Sequence, residues 1–205
     1  MSTAARVLTV TLVVALAGIV GLGVWLMRAG SEGGAGGLPL ADAERTLVAD
    51  PEIALPEVVD VPATGTCPAF TFRAPVPPTT GPGADGYVTF ALPGDDGSAV
   101  LVVCNGAVDE VGTPEEVVAD LWSGETDVAG ADADADVWER LFAERVTSSY
   151  GDAIALTSRF GSQLLTDHYV ERDGGLHIVG YLRPEASGDR HRAVVDAMLA
   201  SWQWR

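Results

Sequence analysis

Three aspartates that alternate with alanines, in the stretch VAGADADADVWERL, are the first residues whose spacing suggests chemistry. Asp132, Asp134 and Asp136 are spaced like the first three oxygen ligands of a calcium loop. Such a loop also needs a glycine at its sixth position and a bidentate glutamate at its twelfth. Val137 and Ala143 stand there instead. The three aspartates are therefore weak metal candidates that fit a solvated loop better, and the sequence predicts no metal and no cofactor.

Two of the three histidines fall in a predicted β-hairpin, QLLTDHYVER–DGG–LHIVGYLRP. If Asp173–Gly174 form the turn, Val170 pairs with His177, and His168 lies diagonally opposite His177 on the same face. The other face carries the apolar residues and is predicted to be the buried one: Leu165, Tyr169, Leu176, Ile178 and Leu182. Two histidines on one face could share a metal ion or a proton. A metal usually has a third ligand, and since none is evident, we predict an ordinary pair on a polar face.

Motifs of well-known catalytic sites are missing from the chain. It has no G-x-S-x-G, no H-E-x-x-H, no phosphate-binding loop with lysine and no dinucleotide fingerprint. The sequence therefore predicts a protein that is not an enzyme. The alternative is a hydrolase that uses an unmarked carboxylate or His168 and His177.

The charge balance disfavours nucleic acid as a partner. All twelve basic residues are arginine, against 29 acidic residues, and the formal net charge is −17. A nucleic-acid-binding face needs clustered basic residues that release counterions from phosphates. An arginine-only, alanine- and glycine-rich composition is also typical of a high-GC genome, as in actinobacteria, with haloarchaea as the alternative.

An uncharged stretch near the amino terminus predicts a membrane anchor. Residues 7–27 contain no charged side chain and are long enough to cross a bilayer as a helix, with Arg6 and Arg28 at the two ends. Trp25 lies near one end, where indole rings favour the membrane interface. We assign residues 1–28 to an uncleaved signal anchor. A cleaved signal peptide is the alternative.

The two cysteines, Cys67 and Cys104, indicate the side of the membrane. An isolated pair in a small domain is typical of a disulfide formed in an oxidising compartment. The alternative is a pair of buried free thiols, and the spacing fits no C-x-x-C motif. A disulfide places the amino terminus in the cytoplasm and the following domain outside, as a single-pass protein of the cell membrane.

The elements between these residues predict one α+β domain. Residues 29–66 are rich in glycine, proline and acids, and are predicted to be a flexible linker. In residues 67–205, three strands precede a helix over TPEEVVADLW, in which Thr113 and Glu116 form a capping box. About four strands, a helix ending in DAMLASW and a short strand at WQWR follow. This order predicts an antiparallel sheet flanked by helices.

Residues 164–204, LLTDHYVERDGGLHIVGYLRPEASGDRHRAVVDAMLASWQW, resemble the closing unit of the PsbP-like family. In that unit a hairpin with a polar turn leads through an acidic loop to a helix and a Ser–aromatic–x–aromatic end. The resemblance implies an α/β/α sandwich that serves as an accessory or binding module on larger assemblies. The family includes actinobacterial lipoproteins of the LpqN type, which are linked to the cell envelope, although this chain lacks their lipid-bearing cysteine. We therefore expect a membrane-anchored, extracytoplasmic binding or scaffold protein with an envelope protein or lipid as its partner.

Overall fold

A seven-stranded mixed β-sheet forms the centre of the protein in a computed structural model, which describes residues 40–65, 67–80, 88–94, 96–123 and 139–205. In spatial order its strands are β1 (Leu40–Thr46), β6 (Glu139–Ser148), β7 (Gly151–Phe160), β8 (Gln163–Arg172), β9 (Gly175–Pro184), β5 (Ala99–Ala107) and β4 (Val88–Ala91). β1 runs parallel to β6, and every other neighbouring pair is antiparallel.

The four long strands β6 to β9 follow one another through two-residue turns, so each is the direct neighbour of the next. The β8–β9 turn has positive φ at Asp173 (52°) and Gly174 (76°). Two-residue turns with positive φ match the twist of the strands that they join, and Asp-Gly is a favoured pair there. The predicted hairpin is therefore confirmed, including its register.

A second, smaller sheet covers one face of the large one. Its strands, in spatial order, are β10 (Gln203–Trp204), β3 (Phe70–Ala74) and β2 (Glu57–Val61). The helix α3 (Arg192–Ala200) lies on the same face, and its buried residues include Val195, Met198 and Leu199. Phe70, Phe72 and Trp202 belong to the same buried cluster, and Trp204 of the terminal strand packs against it. The predicted closing helix and terminal strand are therefore confirmed.

The opposite face of the large sheet is covered by two helices, α1 (Val108–Val111) and α2 (Pro114–Ser123). Val117, Val118 and Leu121 of α2 pack against Ile154 and Tyr169 of the sheet. The capping box is present, because Thr113 Oγ1 accepts a hydrogen bond of 3.2 Å from the Glu116 amide and Glu116 Oε2 accepts one of 2.8 Å from the Thr113 amide.

Replacing Thr113 by alanine removes the side-chain acceptor at the amino end of α2. We expect Thr113→Ala to lower the free energy of unfolding by about 1 kcal/mol, the usual value of such a cap. Urea denaturation measures the change, with Thr113→Ser, which keeps the hydroxyl, as the control. Equal stability of the alanine and serine variants would show that the cap contributes nothing.

The predicted extent of the linker, residues 29–66, is wrong, because the strands β1 and β2 both lie within that range. The domain therefore begins no later than Leu40, rather than at Cys67. The pattern misled us because both strands lie at sheet edges, where pairing depends on backbone hydrogen bonds and the outer side chains stay polar. β2 buries only Val59 and Val61 of its five residues.

The layer arrangement also differs from the expected α/β/α sandwich of an antiparallel sheet. The fold is a sheet-rich α+β structure with few helices, and its main sheet is mixed because of β1. One of its outer layers is largely a second sheet, since β3 and β10 pair with each other and not with the strands of the large sheet.

Cys67 and Cys104 form a disulfide, as predicted, with their Cα atoms 6.1 Å apart. Cys67 lies just before β3 of the small sheet, whereas Cys104 belongs to β5 of the large sheet. The bond therefore links the two sheets, and the alternative of two free thiols does not hold.

The predicted membrane segment, residues 7–27, lies outside the described residues. Within the part of the chain that the structure describes, no helix combines the length and the apolar character needed to span a bilayer.

Candidate functional site

The two hairpin histidines lie on the same face of the sheet, but that face is buried. Val170 pairs with His177 and His168 pairs with Val179, which is the predicted register. Each histidine is only 2% exposed, because the small sheet and α3 cover this face. The expected polar face is therefore part of the core.

The environments of the two rings are different. His177 packs edge-on against Phe70 and Trp204, with ring centroids 6.4 and 4.8 Å apart. The His168 ring has a hydrogen bond of 3.1 Å between Nδ1 and the Val179 carbonyl oxygen, and its pKa responds to the charges of Arg45 and Asp196. The structure thus places one histidine in an aromatic cluster and the other in a polar region.

His168 lines a cavity of about 80 Å³ between α3 and the large sheet. Buried residues, including Thr157, Tyr181 and Val195, contribute to its walls together with His168. Phe142 also lines the cavity and is 42% exposed, which is unusual for a phenylalanine. This cavity is the candidate functional site.

Charged side chains from four elements surround the cavity and neutralise one another. Arg45 of β1 contacts Glu144 of β6 at 3.2 Å and Asp196 of α3 at 2.5 Å. Arg192 of α3 also contacts Glu144, at 3.2 Å. Because each carboxylate already has an arginine partner, the ring of charges carries little net attraction for an ion.

Arg183 of β9 belongs to the same ring of charges and lies next to the segment that precedes α3. Its side chain is 7% exposed, contacts Asp189 at 3.0 Å and donates a hydrogen bond of 3.1 Å to Thr166 Oγ1. Its guanidinium also lies 4.8 Å from the centre of the Tyr181 ring. Arg183 therefore connects the sheet, the loop and the cavity wall.

The hydrogen bond of His168 fixes its tautomer. A carbonyl oxygen can only accept, so Nδ1 carries the proton and Nε2 of the neutral ring has a free lone pair. Burial lowers the pKa of His168 from 6.5 to about 4, which keeps the ring neutral at physiological pH. Nε2 is buried and has no hydrogen-bond partner within the described structure.

Asp167, the next residue along β8, points to the opposite face of the sheet. Burial raises its pKa from 3.8 to about 7, although a hydrogen bond from Tyr169 and the charge of Arg140 act in the other direction. A Cβ atom on Gly180 of the next strand would lie 2.7 Å from Asp167 Oδ1, so any larger residue there would displace the carboxyl group. No motif in the sequence indicated this residue.

The third histidine, His191, has a structural position. Its Nε2 lies 3.3 Å from Asp96 Oδ2, which connects the β4–β5 hairpin to the residue just before α3. The ring is buried and does not belong to the cavity lining.

The acidic loop and its three candidate metal ligands, Asp132, Asp134 and Asp136, lie outside the described residues. Within the described ranges, no group of three or more histidine, cysteine, aspartate or glutamate side chains is arranged to bind a metal ion.

The shifted pKa values predict how stability depends on pH. Burial lowers the pKa of both His168 and His177 from 6.5 to about 4, so between pH 4 and 6.5 the unfolded chain binds two protons that the native state does not. Over most of this range Asp167 has the opposite effect, because the native carboxyl is protonated up to about pH 7. The net difference of one proton predicts that the free energy of unfolding rises by about 1.4 kcal/mol per pH unit.

Urea denaturation at several pH values between 4.5 and 6.5 measures this slope. Asp167→Asn removes the opposing group and should increase the slope to about 2.7 kcal/mol per pH unit. A slope that is unchanged in the variant would contradict the raised pKa of Asp167.

Several solved structures are similar to this chain. The solution structure of cyanobacterial PsbP (CyanoP) from Synechocystis sp. PCC 6803 has a TM-score of 0.45 and 13% sequence identity, and the match covers 77% of this chain and 98% of that chain. No family model matches the chain, and no curated protein matches its sequence. That solved protein belongs by name to the PsbP group which the C-terminal third resembles. The similarity concerns the fold alone, and no residue role is transferred.

Proposed function

We propose that this protein is a membrane-anchored extracytoplasmic binding or scaffold protein. The disulfide between Cys67 and Cys104 is the observation that carries the proposal, because such bonds persist mainly in oxidising compartments. It follows an uncharged stretch, residues 7–27, that is long enough to anchor the chain in a bilayer.

The tether in this proposal is shorter than the sequence suggested. Because β1 begins at Leu40, only residues 29–39 separate the anchor from the first strand. For the flexible linker that the glycine-rich sequence predicts, this length corresponds to a span of roughly 20 Å. The domain then works close to the membrane surface, where an envelope protein or a lipid is the expected partner. The composition and the LpqN-type resemblance support an actinobacterial envelope.

The chemistry of the cavity favours binding over catalysis. Its arginines and carboxylates are mutually paired, and the lowered pKa of His168 makes it a weak proton acceptor at neutral pH. These features are suited to holding a group in place.

Cell fractionation and thiol labelling of the full chain test the proposal. We expect the protein in the membrane fraction, with both cysteines unreactive toward a maleimide until a reductant is added. Recovery in the cytosol, or labelling of unreduced material, would overturn the assignment. Mass spectrometry of the mature amino terminus separates an uncleaved anchor from a cleaved signal peptide.

A hydrolase is the second candidate, and Asp167 is the observation that favours it. A carboxyl group with a pKa of about 7 is suited to general acid–base catalysis at neutral pH. If this candidate is correct, the full chain hydrolyses a member of an ester, glycoside and peptide panel, and Asp167→Asn abolishes that activity. Activity that survives in the variant would exclude Asp167 as the acid or base.

A further inference from the structure

The small sheet ends in a regular outer strand, β2. This strand pairs with β3 over five consecutive residues without a register shift, and it is the last strand of its sheet. The other edge of β3 is occupied by β10. A strand in the position of β2 has one row of backbone N–H and C=O groups that point away from the sheet.

Hydrogen bonds on the far side of β3 show how its backbone groups alternate. The Arg73 amide donates a bond of 2.9 Å to Ser201 Oγ, on the side of β10. Just before β3, the Ala69 carbonyl oxygen accepts a bond of 2.8 Å from the Arg205 amide, on the same side. Because backbone groups of successive strand residues point to opposite edges, the odd-numbered residues of β3 face β10 and the even-numbered ones face β2.

The pairing register then identifies the outward groups of β2. Val58 lies opposite Arg73, and Asp60 lies opposite Thr71. Since the backbone groups of those two β3 residues are directed toward β10, the N–H and C=O groups of Val58 and Asp60 are directed toward the open edge. None of these four groups has a hydrogen bond within the described part of the chain.

The other described edges of the two sheets are short, irregular or covered. β10 has two residues, and β1 has a register irregularity between Leu40 and Glu44. The edge of β4 is covered by the segment before it, since the Thr79 amide donates a bond of 2.7 Å to the Thr89 carbonyl oxygen. Proteins usually protect sheet edges in such ways. Among the described strands, β2 is therefore the regular edge that is left uncovered.

The side chains of β2 indicate what could pair with it. Val58 is 64% exposed, and its branched side chain is of the type that packs well against a neighbouring strand. Asp60 already forms an ion pair with Arg205. Glu57 has no ion-pair partner within the described residues. The strand thus offers an apolar contact and one carboxylate that is not neutralised.

The charge of the chain selects between the possible occupants of this edge. A second copy would bring a formal charge of −17 against an equal charge, which disfavours pairing of two β2 strands. An extended segment with basic side chains would be attracted instead. Pro56 and Pro62 flank the strand and cannot donate hydrogen bonds, so they limit an added strand to the length of β2.

We propose that β2 accepts an extended, basic segment of a partner protein as an added strand, with the backbone groups of Val58 and Asp60 forming the new ladder. In this mode of recognition, main-chain hydrogen bonds give the affinity and alternate side chains give the specificity. The inference rests on the proposed binding role of the domain, and it does not depend on where in the cell the domain lies.

Titration of the ¹⁵N-labelled full chain, in detergent micelles, with a synthetic peptide tests the inference by NMR. The peptide alternates valine and threonine, has an arginine near each end and is blocked at both termini. We expect saturable shifts and slower hydrogen exchange of the Val58 and Asp60 amides. The Val59 and Val61 amides, which face β3 by the same alternation, are internal references and should change little. A peptide with glutamate in place of arginine should bind about tenfold more weakly.

Variants give a second measurement. Val58→Pro removes an outward N–H without breaking a bond to β3, at a position where edge strands tolerate proline. It should weaken binding of the arginine peptide about tenfold, because a hydrogen bond is lost. Val58→Thr, which keeps the N–H and a branched side chain, is the matched control and should bind like the wild type. If Val58→Pro does not fold, the pattern of amide shifts in the wild type decides alone.

Several outcomes would overturn the proposal. Shifts that do not saturate would do so, as would saturable binding that leaves the Val58 and Asp60 amides unchanged. Equal binding of the glutamate peptide would exclude a basic partner. Protection of these two amides in the protein alone, increasing with protein concentration, would assign the edge to a second copy. Failure here with correct membrane localisation would leave the proposed function standing on another surface, whereas cytosolic recovery with peptide binding would overturn only the location.

Discussion

Replacing both cysteines by serine is expected to destabilise the domain by about 4 kcal/mol. Cys67 and Cys104 are 37 residues apart, and the loss of loop-closure entropy in the unfolded chain predicts a contribution of that size for a loop of this length. For a domain of this size, the same change lowers the melting temperature by roughly 8–16 °C. In this account the length of the closed loop sets the size of the effect.

Calorimetry of the full chain, with and without reductant, measures this contribution. The wild-type protein should lose stability when dithiothreitol is added, whereas the double serine variant should melt at the same temperature in both buffers. If the serine variant matches the oxidised wild type, the bond contributes nothing to stability, and its value as an indicator of an oxidising compartment would be weakened as well.

Local signals in the sequence were sufficient to predict those features that are formed by residues close together in the chain. Thr113 and Glu116 satisfy each other's backbone amides, and the Asp173–Gly174 turn fixes the register of β8 and β9. Both features depend on residues that are three or fewer positions apart. Each could therefore be predicted without knowing the rest of the fold.

Features that depend on distant segments could not be predicted in this way. The face that carries His168 and His177 is buried because residues 57–74 and 203–204 form a second sheet above it. Both histidines alternate with apolar residues, so the pattern predicted burial of the opposite face alone. That face is buried, as Tyr169 and Leu176 show, but the face with the histidines is buried as well. Strands β1 and β2 were missed for a related reason, since edge strands need few apolar side chains.

The candidate site illustrates the same limit. Arg45, Glu144 and Asp196 lie far apart in the sequence and meet only because β1 pairs with β6 and α3 covers that side of the sheet. Asp167 depends on the close approach of Gly180, which becomes visible only when β8 and β9 are paired. Single residues of common types, without a motif, gave no indication of either arrangement.

The aromatic cluster beneath the small sheet should be as important to stability as the disulfide. Trp202 is 3% exposed, and its ring lies 4.5 Å from that of Phe70 and 4.6 Å from that of Phe72, stacked on both. Tyr150 of the β6–β7 turn approaches it at 4.8 Å from the side. Trp202 therefore joins α3, β3 and the large sheet at one point.

Trp202→Ala is expected to lower the free energy of unfolding by about 3–5 kcal/mol, because it removes a large buried ring and leaves a cavity among aromatic neighbours. Trp202→Phe is the matched control, since it keeps a stacked ring and removes an indole N–H that has no partner in the described structure. Urea denaturation should show less than half the loss for phenylalanine.

Combined with the double serine change, Trp202→Ala would remove about 8 kcal/mol, which is comparable to the whole stability of many domains. A double serine/Trp202→Ala chain that still unfolds cooperatively at high urea would show that the two sheets are held together by other contacts.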